Sequence, residues 1–339
     1  MILTYKIKHG ADLSLDLEKA YKVAKFAVVN KGVFSSAAVS HLGLKSVISN
    51  QILRKYGRNR DCKRVTSVKM PVPAQGIKYN EDEQQLRIPS LDLSLSVANL
   101  PPFQKINQVE VGPVYAYVAV TVPEQSQMPV DEWVGVDLNT TGHCCVVANP
   151  STGKVLKLGK KAHHTHTKYK NQRKRFQRKE KLKLAKQTKT RESRIVRDLN
   201  HKISRKVVDY ALKNKAGIVL EDLTGIRKTK KQAKSFKYAL HSWSFFQLQS
   251  FLEYKAKLLG VPVVKIDPAY TSQQCSRCGL LGNRSKKQFK CPACGHVENA
   301  DCNASFTIAL RHQGVIRLPA ERDAGKGSTD TPEEATARR

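Results

Sequence analysis

Residues 270–310, YTSQQCSRCGLLGNRSKKQFKCPACGHVENADCNASFTIAL, hold two C-x-x-C pairs, Cys275/Cys278 and Cys291/Cys294, with twelve residues between them. Two tight turns at that separation present four thiolates to one ion, which is how a tetrahedral structural zinc site is built. Each pair is followed by a glycine, Gly279 or Gly295, where such a turn needs positive φ. Two disulfides, redox-active motifs, or His296 in place of one thiolate are the alternatives. The doubled spacing and the four cysteines favour zinc on Cys275, Cys278, Cys291 and Cys294. The basic loop 283–290 has few apolar residues, so metal binding is expected to supply its folding free energy. Asp301 then opens an apolar run predicted as a helix through Leu310.

Upstream of this stretch the apolar pattern predicts an α/β domain. Residues 133–158 read as three strands joined by tight turns, the first ending near Asp137. Residues 160–206 carry nineteen Lys or Arg against three acids; Ile195, Leu199, Ile203 and Val207 give the second half one apolar helical stripe. His163, His164 and His166 lie in this basic stretch and are expected to be solvated. The run AGIVL at 216–220 reads as a buried central strand ending in Glu221. A basic segment, 227–237, precedes a predicted helix at 242–259, and Gly260 and Pro268 bracket a further strand. The order β-β-β-α-β-α-β-(zinc)-α implies a five-stranded mixed sheet flanked by helices.

The N-terminal part is different. A strand at 3–7 and helical patterns at 17–29 and 44–56 are followed by short alternating strands between 64 and 122. These predict a small β-barrel or sheet over residues 1–130 with a helical insert at about 10–60. The polar, Pro-containing segment 123–131 is the expected boundary. The second part would run from 131 to 310 with the zinc element at 270–298, and 311–339 is expected to be a disordered tail.

With 60 Lys and Arg against 28 Asp and Glu, the formal charge is +32, which points to a polyanionic partner. No apolar run is long enough to span a bilayer and the first residues lack a signal-peptide core, so a cytoplasmic protein with no membrane partner is expected. The basic segments nominate Arg173, Lys174, Arg175, Arg178, Lys179, Arg194, Arg197, Lys228, Lys230 and Lys231 as nucleic-acid contacts.

Three acids punctuate the predicted sheet: Asp137 on the first strand, Glu221 at the end of the fourth, Asp301 at the last helix start. If strands one and four are neighbours, the three carboxylates converge. Oxygen-only ligands favour Mg²⁺ or Mn²⁺, and a pair of such ions roughly 3.5–4 Å apart suits phosphodiester hydrolysis. Acids at strand ends and helix starts are commonly caps, and any one alone would read so. Asp222 competes with Glu221, and Asp267 or Glu298 with Asp301.

The segments GVDLN around Asp137, VLEDL around Glu221, PAYTSQQC at 268–275, CSRCG and CPACG, and NADCNASFTIAL around Asp301 occur in one order. Together they resemble the TnpB (OrfB) proteins of insertion sequences, relatives of type V CRISPR effectors. The resemblance spans residues 133–310, roughly half the chain. It implies an RNA-guided DNA endonuclease with a RuvC-like, RNase H-fold active site, a zinc-ribbon insert and an N-terminal wedge barrel carrying a recognition insert. It makes Asp137, Glu221 and Asp301 the catalytic, metal-binding acids. It also implies an omega-type guide RNA and double-stranded target DNA cut beside a short flanking motif, with one or two protein copies per RNA. The family's usual D-R-D-x-N-A is here NADCNA at 299–304, which keeps the acid before x-Asn-Ala. A non-catalytic RNA-guided DNA-binding regulator on the same scaffold is the alternative; a guide-independent recombinase fits the zinc insert less well.

Overall fold

A computed structural model describes residues 1–139, 142–223 and 245–318. The expected contacts Lys228, Lys230 and Lys231, the segment 227–237, the helix start at 242–244 and the tail beyond 318 lie outside the described residues. The chain divides into two compact units between Glu124 and Gln125.

In the first unit, β1 (Ile2–Lys8) leads into α1 (Ser14–Val29) and α2 (Ser46–Gly57). β2 (Met70–Pro73), β6 (Lys105–Val111) and β7 (Tyr115–Thr121) join β1 in an antiparallel sheet of order β1-β7-β6-β2. β3 (Lys78–Asn80), β4 (Gln85–Ile88) and β5 (Leu93–Ser96) form a second, three-stranded sheet. The strand hydrogen bonds thus give one four-stranded and one three-stranded sheet in this unit. Met70 and Val72 pair with β6 alone, so β2 ends its sheet.

The second unit is built on β8 (Glu132–Leu138), β9 (Cys145–Ala148), β10 (Val155–Leu158), β11 (Ala216–Glu221) and β12 (Val263–Ile266), in the order β10-β9-β8-β11-β12. β8 pairs antiparallel with β9 and parallel with β11, so the sheet is mixed, and the first and fourth strands are neighbours. Both central strands are covered on two faces, hence their nearly unbroken apolar sequence.

The period of two sorts the sheet's faces. Val134, Val136, Leu138, Ile218 and Leu220 share one buried cluster with Ile203, Val207 and Val208 of α4 (Leu182–Lys213) and Leu248 and Leu252 of α5 (Phe245–Leu258). The alternate residues Gly135, Asp137, Gly217, Val219 and Glu221 therefore face the other way, toward α6 (Ala300–His312). A Cβ on Gly135 would stand 1.9 Å from Ser305 O, so the helix crosses the sheet where β8 has no side chain. Ser305 Oγ, 3.0 Å from Val146 O and 2.8 Å from Asp301 O, fixes this crossing.

The basic segment 160–206 is two helices, α3 (Lys160–Arg178) and then α4, broken where Glu180 takes φ +55°. Along α4 the buried line is Val196, Asn200, Ile203, Ser204 and Val207, with Ile195 and Leu199 at its margin. The expected Ile203 and Val207 lie in this line, and polar Asn200 and Ser204 widen it toward Val196. His166 is not solvated as expected: it is buried and bonded to Glu192, while His163 is half-buried and only His164 is exposed. The last helix reaches His312, Ile316 is buried, and Arg317 O accepts from Gln274 Nε2 at 2.6 Å, so residues 311–318 are packed where tail was expected.

Candidate functional site

β8 and β11 run side by side in parallel register, Ala216 opposite Glu132 through Leu220 opposite Val136. One step further both reach a carboxylate, Asp137 and Glu221, on the face that α6 covers. Asn299 caps α6, its side chain accepting from Asp301 N and Cys302 N, and this sets Asp301 in the first turn, where a helix N-terminus favours negative charge. Asp137 and Asp301 are buried and Glu221 is half-buried. Asp222, of the opposite parity, is exposed.

The three carboxylates share one electrostatic environment. Burial first, then the charge of Glu221 and that of Asp301, push the Asp137 carboxyl up to about 8 against a hydrogen bond from Asn139 (Nδ2 to Oδ2 2.7 Å) and the charge of Arg284. Burial also raises Glu221, opposed by a hydrogen bond from Thr271 Oγ1 and the charges of Arg311 and Arg284. Asp301 is held differently: Lys287 Nζ lies 2.6 Å from Oδ2 and Arg284 Nη2 3.2 Å from Oδ1. Arg284, Lys287, Thr271 and Arg311 were not singled out in the sequence. Basic residues are everywhere in this chain, and only the fold shows which of them turn inward.

Arg284 and Lys287 come from the zinc element. β13 (Asn283–Ser285), β14 (Gln288–Lys290) and β15 (Val297–Asn299) form a small antiparallel sheet around buried Phe289, and β15 runs directly into α6. Cys275 Sγ lies 3.7 Å from Cys294 Sγ, and Cys278 Sγ 3.5 Å from Cys291 Sγ, the four sulfurs all within 4.8 Å of one another. A disulfide needs about 2.05 Å, whereas a tetrahedron with Zn–S near 2.3 Å has edges of roughly 3.8 Å, so the donor set fits zinc. Gly279 and Gly295 take φ +77° and +70°, and their N–H groups bond back to Cys275 O and Cys291 O. Among the described residues this is the one group of three or more Cys, His, Asp or Glu side chains with ligand atoms so close; the three acids are more widely spaced, and His296 is not a member.

Gln274 ties this element to the sheet's helix. It is fully buried; its Nε2 donates to Gly279 O and Arg317 O, its Oε1 accepts from Arg311, and its carbonyl accepts from Asn303 and Thr307 of α6. Ser276 N donates to Asn303 Oδ1, and Ala300 N to Lys287 O. The start of α6, and with it Asp301, therefore takes its position from the four-cysteine element.

Of the described residues nominated as nucleic-acid contacts, Lys174, Arg175, Arg178, Lys179, Arg194 and Arg197 are exposed. The first four line, with Asn171, a surface groove of about 380 Å³. Arg173 does not join them: it turns inward to pair with Glu192, which also accepts from His166 Nδ1 at 2.6 Å. Burial would raise the Glu192 carboxyl, but the hydrogen bonds and charges of His166 and Arg173 hold it below its usual range. Among the described residues no helix is long and apolar enough to cross a membrane.

Residues 245–308 match the family model for the Cas12f1-like TNB domain. The chain is 45% identical over 115 residues (33% of this chain, 26% of the relative) to the CRISPR-associated endodeoxyribonuclease Cas12f1 of Sulfoacidibacillus thermotolerans. It is 40% identical over 142 residues (41% and 51%) to a TnpB-like protein of Methanocaldococcus jannaschii. A solved Cas12f1–sgRNA–target DNA complex superposes with TM-score 0.57 at 16% identity, covering 88% of this chain and 82% of that one, which shows a shared fold. These matches make the chain similar to TnpB-like proteins and to Cas12f1 effectors, over residues 245–308 in the family model and over 115 and 142 residues in the two relatives. It spans between about a quarter and a half of the length of these two curated relatives.

Proposed function

We propose that this chain is an RNA-guided DNA endonuclease whose second unit is a RuvC-like, RNase H-type nuclease domain with Asp137, Glu221 and Asp301 as its metal-binding acids. The observation that carries the reading is the pairing of β8 with β11, which brings Asp137 and Glu221 side by side under the helix that bears Asp301. The three acids form an oxygen-only set in which Asp137 is raised to about 8 by burial and by its carboxylate neighbours, which fits divalent cations. Bound there, Mg²⁺ or Mn²⁺ would activate water and stabilise the leaving oxygen of a phosphodiester.

The chain's own residues do the positioning. Asn139 and Thr271 hold Asp137 and Glu221 by donating to one oxygen of each, leaving the other for a ligand. Lys287 and Arg284 occupy Asp301 and must yield at least one of its oxygens to an incoming cation. Zinc bound by Cys275, Cys278, Cys291 and Cys294 would hold the start of α6 in place. The similarity to relatives named as endodeoxyribonucleases and the +32 charge support a guide RNA and double-stranded target DNA as partners. The groove at the end of α3 and the exposed Arg194 and Arg197 are the described surfaces suited to phosphate backbones.

The test is to purify the chain with its co-expressed RNA, sequence that RNA, and offer matching duplex DNA in Mg²⁺. Cleavage that Asp137→Ala abolishes, with RNA content unchanged, is the expected result. The ion pairs on Asp301 favour a second reading, a DNA-binding regulator that never cuts; tight target binding without nicking in Mg²⁺ or Mn²⁺ would establish that one instead.

A further inference from the structure

Beside the acids, the sheet carries a second feature in the same register. Asp137 of β8 is paired with Val146 of β9, and Val146 with Lys157 of β10. Directly paired residues point to the same face, so Lys157 stands on the cross-strand row of Asp137, two strands or roughly 10 Å away. Its neighbours Leu156 and Leu158 pack on the opposite face, against the α4–α5 core, which confirms the parity. Lys157 is exposed, and its ammonium group lies against the Cys302 thiol next to Asp301.

Other groups converge on this flank. His143, half-buried in the connection from β8 to β9, feels the charges of Lys157, Lys160, Lys287 and Asp301. Lys160 opens α3, one residue after Gly159, and is exposed. Gly142 lies against the Lys287 side chain: a Cβ added there would stand 3.8 Å from Lys287 Cε. The acids in reach are Asp301, already paired with Lys287 and Arg284, and Glu298, whose charge acts on Cys302. Positive charge is therefore in excess on this flank, beside the end of α6 that carries Asp301.

We infer that Lys157, with His143 and Lys160, forms a second anion position that grips a backbone phosphate of the DNA strand next to the bond being cut. Lys157 and Lys160 supply the charge and His143 a ring N–H. The inference rests on the nuclease reading of the three acids. The occupant is the DNA strand and not the guide RNA because Lys157 lies against Cys302, the residue that follows Asp301, one of the acids proposed to cut. Lys157 is a positioning residue: it fixes where the strand lies, not the reacting atoms.

The full chain carrying its copurified RNA is titrated, in calcium buffer at several salt concentrations, into a short fluorescein-labelled oligodeoxythymidylate, read by anisotropy. Lys157→Ala is expected to raise Kd roughly five- to tenfold and to lower the log Kd against log salt slope by about one contact, with Lys157→Arg restoring both. Lys154→Ala removes the same charge at the far end of the same hairpin and is expected to leave Kd within about twofold. Equal shifts for Lys154→Ala and Lys157→Ala would overturn the inference. So would loss of RNA from Lys157→Ala with an unchanged Kd for the loaded fraction, which would assign the flank to the guide. A wild-type complex that never cuts DNA in Mg²⁺ overturns the nuclease reading instead, and the Kd comparison separates the two failures.

Discussion

Asp137 and Glu221, 84 residues apart in the chain, sit one step beyond the last paired residues of two adjacent parallel strands, Val136 and Leu220. Two buried carboxyls so placed cannot both ionise cheaply. Their protonated forms are favoured by the fold, since both are raised above their usual range, Asp137 to about 8. The folded state therefore binds more protons than the unfolded one between the two states' pKa values, and stability falls as pH rises through that window. Without added Mg²⁺ or Mn²⁺, Tm is expected to decline from about pH 5 to about pH 8. Adding Mn²⁺ or introducing Asp137→Asn should flatten the decline; a flat metal-free profile in the wild type would contradict this electrostatic picture.

Lys287 stands where a cation would otherwise meet Asp301 Oδ2. Lys287→Ala should lower the Mn²⁺ concentration for half-saturation several-fold, measured by calorimetric titration, while reducing metal-free Tm because Asp301 keeps only Arg284. Weaker Mn²⁺ binding in this variant would mean that Lys287 supports the site and does not compete for it.

Gly135 admits α6 to the sheet. Gly135→Ala drives a methyl into Ser305 O, and a loss of about 3 kcal/mol or more in urea unfolding is expected. Gly10, which is not in the left-handed region and has no atom within 4 Å of a Cβ, is the control, and Gly10→Ala isolates the clash. A similar loss at both sites would show that packing against α6 contributes little.

Zinc removal should act at a distance. Cys291→Ser is expected to lose the bound zinc by elemental analysis and, through Gln274, Asn303 and the Ala300–Lys287 bond, to weaken Mn²⁺ binding at the acids. Gln274→Ala, which leaves several buried partners of the fully buried side chain unmatched, should weaken Mn²⁺ binding while retaining zinc. Unaltered Mn²⁺ affinity in both would separate the two metal centres.

The alternating and continuous apolar runs were enough to place the five strands of the second unit, because burial dictates those patterns directly; that the first and fourth are neighbours was only a condition in the sequence and comes from the pairing of β8 with β11. The cysteine spacing with its two glycines was equally readable, since a tight turn has few chemical solutions. Less was visible where polarity and burial part company. His166 and Glu192 are polar yet buried, and Arg173 looks like its exposed neighbours while pairing inward. The inward turn of Arg284 and Lys287 depends on a hairpin whose strands are three residues each, too short to leave a period. In the first unit, alternation revealed strands but not which edges pair, and so did not separate a barrel from a sheet.

The central claim is that Asp137, Glu221 and Asp301 bind divalent metal together, and anomalous diffraction at the manganese edge from crystals soaked in Mn²⁺ tests it most directly. The account predicts anomalous density bounded by all three carboxylates, with Lys287 displaced from Asp301 Oδ2. Manganese bound elsewhere, or at Asp137 and Glu221 with Asp301 still clasped by Lys287 and Arg284, would contradict it.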